Sequence, residues 1–207
     1  YTSWNDIWSY PGYKERDILP GDYKYEDWNG DGEINGQDEH PFAFDQTPWL
    51  QFSLNAGLQW KNFDFNMLLQ GSALGSMEYK EIWGKNGGGA LTQFLDRWHP
   101  VDPKADPYDP STVWTSGHYA YTGRWAKNNS AFNRVSTAYL RLKSIELGYT
   151  FPKLKQIPNA SLRIYANAYN LLTFTGVKFV DPEHPDDDLG RMYPLNKTYT
   201  LGVSLSF

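Results

Sequence analysis

Between Asp27 and Asp38 the chain reads Asp-Trp-Asn-Gly-Asp-Gly-Glu-Ile-Asn-Gly-Gln-Asp. Oxygen-bearing side chains fall at the first, third, fifth, ninth and twelfth places, and glycine stands at the sixth, where a sharp turn is needed. This is the spacing by which a short loop wraps a hard, oxygen-preferring cation. Asp27, Asn29, Asp31 and Asp38 are therefore the side-chain ligands expected for Ca2+, with Glu33 offering its backbone carbonyl. Asp38 stands where a bidentate Glu is usual, and no helix pair flanks the loop. The same residues also suit an Asx- and Gly-rich turn that holds no metal.

A second group is aromatic. Trp83, Trp98, Trp114 and Trp125 fall within the long segment 76–137, beside Gly87-Gly88-Gly89 and Asp-Pro pairs at Asp102, Asp106 and Asp109. So many indoles argue against disorder. They suit either stacking on sugar rings, contact with a partner, or packing of the loop on itself. Catalytic chemistry has no comparable signal. His40, His99, His118 and His184 lack metal-ligand spacing, no nucleophile motif occurs, and the acidic run Asp186, Asp187, Asp188 reads as a solvated face. Phosphate-binding glycine patterns are missing too, and no enzyme is expected.

The elements that carry these loops follow from composition and periodicity. The 207 residues have net charge −5, 17% aromatics and no cysteine. Mean hydropathy is −0.64. No apolar run is long enough for a transmembrane helix, and no leader pattern opens the sequence. A disulfide framework and a thiolate metal site are excluded by the missing cysteines, and the acidic balance argues against nucleic acid as a partner. Aromatic enrichment in a polar chain fits a sugar-binding β-domain or a transmembrane β-barrel, whose strands are apolar on one face only.

Period-two alternation marks five strands. Leu50, Phe52, Leu54, Ala56, Leu58 and Trp60 oppose Gln51, Ser53, Asn55, Gly57 and Gln59. After a tight turn at Lys61-Asn62, Phe63, Phe65, Met67 and Leu69 oppose Asp64, Asn66 and Gln70, with Leu68 the one blemish. Ile145, Leu147, Tyr149 and Phe151 oppose Ser144, Glu146, Gly148 and Thr150. Leu162, Ile164, Ala166 and Ala168 oppose Arg163, Tyr165, Asn167 and Tyr169. Finally Lys197, Tyr199, Leu201, Val203, Leu205 and Phe207 oppose Thr198, Thr200, Gly202, Ser204 and Ser206. Strands of about ten residues suit a membrane better than a sandwich.

Short connections (61–62 and 152–159) alternate with long ones (76–137 and 173–196), as periplasmic turns alternate with extracellular loops in outer-membrane barrels. Trp60, Phe63, Tyr149, Phe151 and Phe207 then gather at the periplasmic end as an aromatic girdle. Arg141 and Lys143 share parity with apolar Ile145. Either they reach the outer interface, near lipopolysaccharide phosphates, or a bulge flips the parity there. Five strands cannot close a membrane barrel, so the chain is expected to be part of a larger one.

Four stretches then carry a resemblance. Gly21-Asp22-Tyr23-Lys24-Tyr25-Glu26 running into the Asp27 loop, Phe63-Asp64-Phe65 with Gln70-Gly71-Ser72, Tyr139-Leu140-Arg141-Leu142-Lys143-Ser144-Ile145-Glu146-Leu147-Gly148-Tyr149, and Asn170-Leu171-Leu172-Thr173-Phe174-Thr175 occur in this order. Together they resemble the C-terminal part of the SusC/RagA-type TonB-dependent outer-membrane transporters of Bacteroidetes. The resemblance implies an all-β fold, the last strands of a 22-stranded transmembrane antiparallel barrel with long extracellular loops. It implies import of oligosaccharides or peptides with a SusD-like surface lipoprotein, energised by the TonB complex through parts outside this chain. Residues 1–49 would be an extracellular loop with an EF-hand- or dockerin-like calcium motif, 50–75 and 138–172 barrel hairpins, 76–137 and 173–196 extracellular loops, and 197–207 the last strand. Glu146, Arg163, Tyr165, Asn167 and Tyr169 would face the lumen, and Tyr199, Leu201, Val203, Leu205 and Phe207 resemble an assembly signal. The competing expectation is a secreted calcium-binding β-sandwich carbohydrate-binding module.

Overall fold

The computed structural model describes residues 1–11, 18–78, 92–122, 130–152, 160–178, 180–183, 193 and 195–207. Among the described residues nine strands run in chain order: β1 Leu50–Trp60, β2 Phe63–Ala73, β3 Ser76–Glu78, β4 His99–Pro100, β5 Trp114–Thr115, β6 Arg134–Ser136, β7 Tyr139–Phe151, β8 Ser161–Thr175 and β9 Thr198–Ser206. The chain divides into two compact units, Tyr1–Phe42 with Lys80–Asn133, and Ala43–Tyr79 with Arg134–Phe207.

In the second unit, β1, β2, β7, β8 and β9 form one antiparallel sheet in that order. The alternation dictates its two faces, because residues paired across neighbouring strands point to the same side. Leu58 pairs with Phe65, Phe65 with Leu147, Leu147 with Ala166, and Ala166 with Leu201, so one apolar row crosses all five strands. On the other face Asn55 pairs with Leu68, Asn66 with Glu146, Glu146 with Asn167, and Asn167 with Thr200. The apolar face is open to the surroundings: Leu58 is 65% exposed, Val203 66% and Leu201 78%.

Lys61 takes a left-handed φ of 53°, which closes the two-residue turn between β1 and β2. At that end Trp60, Phe63, Tyr149 and Phe151 form a continuous aromatic row. Consecutive centroids are 6.5, 4.7 and 4.7 Å apart. The adjoining connection 153–159 lies outside the described residues.

Two of the strands are longer than alternation alone delimits. β7 begins at Tyr139 and β8 continues to Thr175, because the pattern breaks partway along. Leu68 and Leu69 are adjacent on β2, yet they face Ser144 and Leu142 on β7, leaving Lys143 as the extra residue of a bulge. Against β8 the irregularity recurs opposite Asn170, whose φ is +52°. The bulge flips parity, so Arg141 pairs with Gln70 and Thr173 on the polar face. The structure thus decides the open question of Arg141: parity changes, and the side chain turns away from the apolar face.

Segment 76–137 carries regular structure of its own. β3 pairs with β6 in the second unit, burying Met77 completely. The first unit holds the helix α1, Trp4–Ser9, a 3-10 turn at Gly36–Asp38 and the short pair β4·β5. Its core is aromatic: Phe132 packs on Tyr23 at 4.6 Å and on His118 at 4.8 Å, and Phe94 on Tyr119 at 4.8 Å. Residues 1–42, the larger part of the stretch 1–49 expected as one loop, share this unit with 80–133.

Candidate functional site

The polar face of the sheet carries an ion-pair network. The Arg163 guanidinium donates through Nε to Asp64 Oδ1 at 3.1 Å and through Nη2 to both Asp64 Oδ2 and Glu146 Oε1, the latter at 2.6 Å. Asn167 Nδ2 donates to Glu146 Oε2 at 3.3 Å, and Arg163 lies over the Tyr165 ring, 4.7 Å from its centroid. Two carboxylates on one cation leave a negative balance, with amide and phenol groups beside it. Such a surface suits water and polar solutes. Glycines make the room: a Cβ on Gly202 would collide with Tyr165, and one on Gly148 with Arg163 and Asp64. Register brings Glu146, Arg163, Tyr165, Asn167 and Tyr169 to this one face.

Beyond the bulge a second cluster forms. Arg141, 1% exposed, donates to Asp181 Oδ2 and Glu183 Oε2, each at 2.6 Å, and through Nε to Thr173 Oγ1 at 3.0 Å. It clasps the segment after β8 onto β7. Neither Asp181 nor Glu183 is singled out by sequence spacing, because only the fold brings them to Arg141.

In the Asp27 loop the carboxylates turn inward on their own backbone. Asp27 Oδ1 accepts from Gly30 N at 2.8 Å and Oδ2 from Gly32 N at 2.9 Å; Asp31 Oδ1 accepts from Glu33 N at 2.8 Å. Asp38 closes the loop, accepting from Trp28 N at 3.0 Å and Asn35 N at 2.7 Å. Gly30 and Gly32 take left-handed φ of 73° and 82°, which explains their identity. Asn29 joins through Nδ2 to Asp31 Oδ2 at 2.9 Å. Among the described residues no three His, Cys, Asp or Glu side chains are grouped to hold a metal.

Trp98 and Trp114 lie in the first unit; Trp83 and Trp125 fall outside the described residues, as do Gly87-Gly88-Gly89, His184 and the acidic run 186–188. The Trp98 ring lies so close to Gly21, φ +91°, that a Cβ there would strike it. Trp114 meets Tyr121 edge-on at 5.3 Å. Sequence reading passed over Trp4 and Trp8, although their four-residue spacing behind the cap residue Ser3 puts them on one helix face. Lys24 Nζ holds Asp6 of the same helix at 2.6 Å. That bond, and then the Thr2 N–H, keep the Asp6 carboxyl below the usual carboxylate range.

The chain is 30% identical over 217 residues to TonB-dependent receptor P26 of Formosa agariphila, covering 95% of this chain and 20% of that one. It is 28% identical to receptor P3 of the same organism over 92% of this chain and 19% of that one. With TonB-dependent receptor SusC of Bacteroides thetaiotaomicron it shares 25% identity over 98% of its length and 19% of SusC. The chain resembles a segment of the TonB-dependent receptors, SusC among them. It spans about a fifth of the length of the curated relatives it matches. The fold agrees with the RagAB peptide transporter, with a TM-score of 0.61 at 24% identity over 85% of this chain and 19% of that one. The closed-closed state of RagAB gives 0.61 at 21% identity over 91% of this chain and 21% of that one. No family model matches the chain. One apolar and one polar sheet face are consistent with a fragment of a β-barrel.

Proposed function

We propose that this chain forms the C-terminal strands and loops of a 22-stranded outer-membrane barrel that imports oligosaccharides or peptides together with a SusD-like lipoprotein. The observation that carries this reading is the apolar row crossing all five strands while remaining open. Contiguous exposed apolar surface of that extent needs lipid or a partner to cover it. In this reading the row meets lipid, and Glu146, Arg163, Tyr165, Asn167 and Tyr169 line the lumen. β1 and β9 are each paired on one side only among the described residues. Their free edges pair with strands outside this chain, since an unpaired edge in lipid leaves backbone groups unsatisfied. The row from Trp60 to Phe151 is then the periplasmic girdle, and Tyr199, Leu201, Val203, Leu205 and Phe207 the assembly signal.

The first unit and the Arg141 clasp lie outside the cell in this reading, close to lipopolysaccharide and the lipoprotein. Binding and release of solute, energised by TonB through other parts of the receptor, is the whole chemistry. Calcium belongs to the proposal as a loop-ordering ion. Asp27, Asn29, Asp31 and Asp38 supply an all-oxygen donor set of the kind that Ca2+ takes. The test is growth and uptake by cells carrying or lacking the full-length receptor, with and without functional TonB, combined with affinity isolation of the receptor. TonB-dependent uptake and a co-purifying surface lipoprotein are expected. A protein found outside the outer-membrane fraction would contradict the reading.

A further inference from the structure

The first unit contains an open cleft of about 450 Å³ lined by four indoles, Trp4, Trp8, Trp98 and Trp114, with hydroxyl and amide groups such as Ser3, Asn5 and Thr112. Its size is that of a small-ligand site. Among the described residues no charged one lines it. We propose that this cleft is a subsite for one or two rings of a neutral saccharide, which narrows the cargo of the importer reading on which it rests.

The lining decides the class. A pyranose presents apolar C–H faces and a rim of hydroxyls, so it matches indole faces bordered by Ser, Thr and Asn groups. A short peptide brings charged termini, and a uronic or sulfated sugar brings an anion, and this lining offers neither a counter-charge. Buried charge without a partner is costly. The Trp8 ring is 64% exposed, on α1 beside Trp4 at 5.8 Å. An indole left that open is a surface ready for stacking.

The platform is also held in place before any ligand arrives, which lowers the cost of binding. Ser3 caps α1 by accepting from Asp6 N at 3.2 Å, Lys24 pins Asp6, Trp98 rests on Gly21, and Trp114 on Tyr121. The indole N–H groups of Trp4 and Trp114 are buried and find no acceptor among the described residues. Each is a donor already stripped of water, which a sugar oxygen satisfies after a small ring rotation.

The test is titration of the full-length receptor in detergent with neutral oligosaccharides of glucose, xylose, mannose and galactose. Uronic-acid oligosaccharides and mixed short peptides are run in parallel, followed by calorimetry and tryptophan fluorescence. At least one neutral series is expected to bind, about tenfold more weakly with Trp8→Ala and within about threefold of wild type with Trp8→Phe. Outer-membrane level and melting should be unchanged, since Trp8 is exposed. No binding of any neutral series, equal affinity in Trp8→Ala, or peptide binding that Trp8→Ala abolishes would each overturn the proposal. In those cases, TonB-dependent uptake that persists leaves the importer reading standing; its loss in the wild type brings down that reading as well.

Discussion

The Arg163 guanidinium on β8 reaches across β7, over Gly148, to the Asp64 carboxylate on β2, Nε to Oδ1 3.1 Å. The bridge spans two strand pairs, so it ties three strands together on the polar face. Glycine is required beneath it because a Cβ at 148 would fall within 2.5 Å of both Arg163 Nη2 and Asp64 Oδ1. Asp64→Asn and Arg163→Gln in the full-length receptor should couple by on the order of 1 kcal/mol, as the pair is partly exposed. Gly148→Ala should cost a similar amount in the wild type and almost nothing in the double variant. Detergent melting curves for the full cycle check this; equal cost of Gly148→Ala in both backgrounds would show that the glycine serves something else.

The bulge at Lys143 makes a sharper prediction. Deleting one residue restores simple alternation and swings Arg141 from its two carboxylates to the apolar face, whereas Lys143→Ala keeps the register. Loss of a buried cation's partners costs about 3–5 kcal/mol, and Arg on a lipid face adds to it. The deletion should therefore abolish outer-membrane accumulation, while the alanine variant accumulates normally. Immunoblots of membrane fractions read the outcome, and equal levels of the two proteins would refute a parity-setting bulge.

Parity also controls tolerance near the middle of β9. Val203 pairs with Ile164 on the apolar face and Ser204 with Arg163 on the polar one. Val203→Arg should cost roughly 2–4 kcal/mol in the membrane, and Ser204→Arg close to none from lipid exposure. Comparable losses of folded receptor for the two would mean that neither side meets lipid.

Calcium is tested by subtraction. If Asp27, Asn29, Asp31 and Asp38 hold the ion, chelated full-length receptor should release or absorb heat on Ca2+ addition, and Asp31→Ala should remove that signal. Transport chemistry should survive, because the metal only orders the loop. A titration without heat in the wild type leaves the Asp27 carboxylate as a turn-former bonded to Gly30 and Gly32.

The sheet was legible because alternation is a local signal: side-chain type alone delimits Leu50 to Trp60, and the strand it places at 197–207 runs from Thr198 to Ser206. The segment Tyr139 to Lys143 could not, since a bulge leaves parity undefined until the neighbouring strand is known. Asp181 and Glu183 carry no local signal in the sequence, because only Arg141, forty residues earlier or more, gives them a role. The aromatic unit was hidden for a related reason. It joins residues 1–42 to 80–133 across the first hairpin, and no periodicity links such distant stretches. Trp98 and Trp114 were visible as candidates by type, but their placement with Trp4 and Trp8 around one cleft is a tertiary fact.

The central claim, that the five strands are barrel wall with one face in lipid, is tested most directly by quenching of site-specific labels in the full-length receptor reconstituted in bilayers. Single cysteines carrying a small fluorophore are placed at Leu54, Leu147 and Leu201, and at Asn55, Glu146 and Thr200. Nitroxide-bearing lipids should quench the first three, and aqueous iodide chiefly the second three. Iodide reaching all six equally, with no lipid quenching at Leu147 or Leu201, would contradict the account.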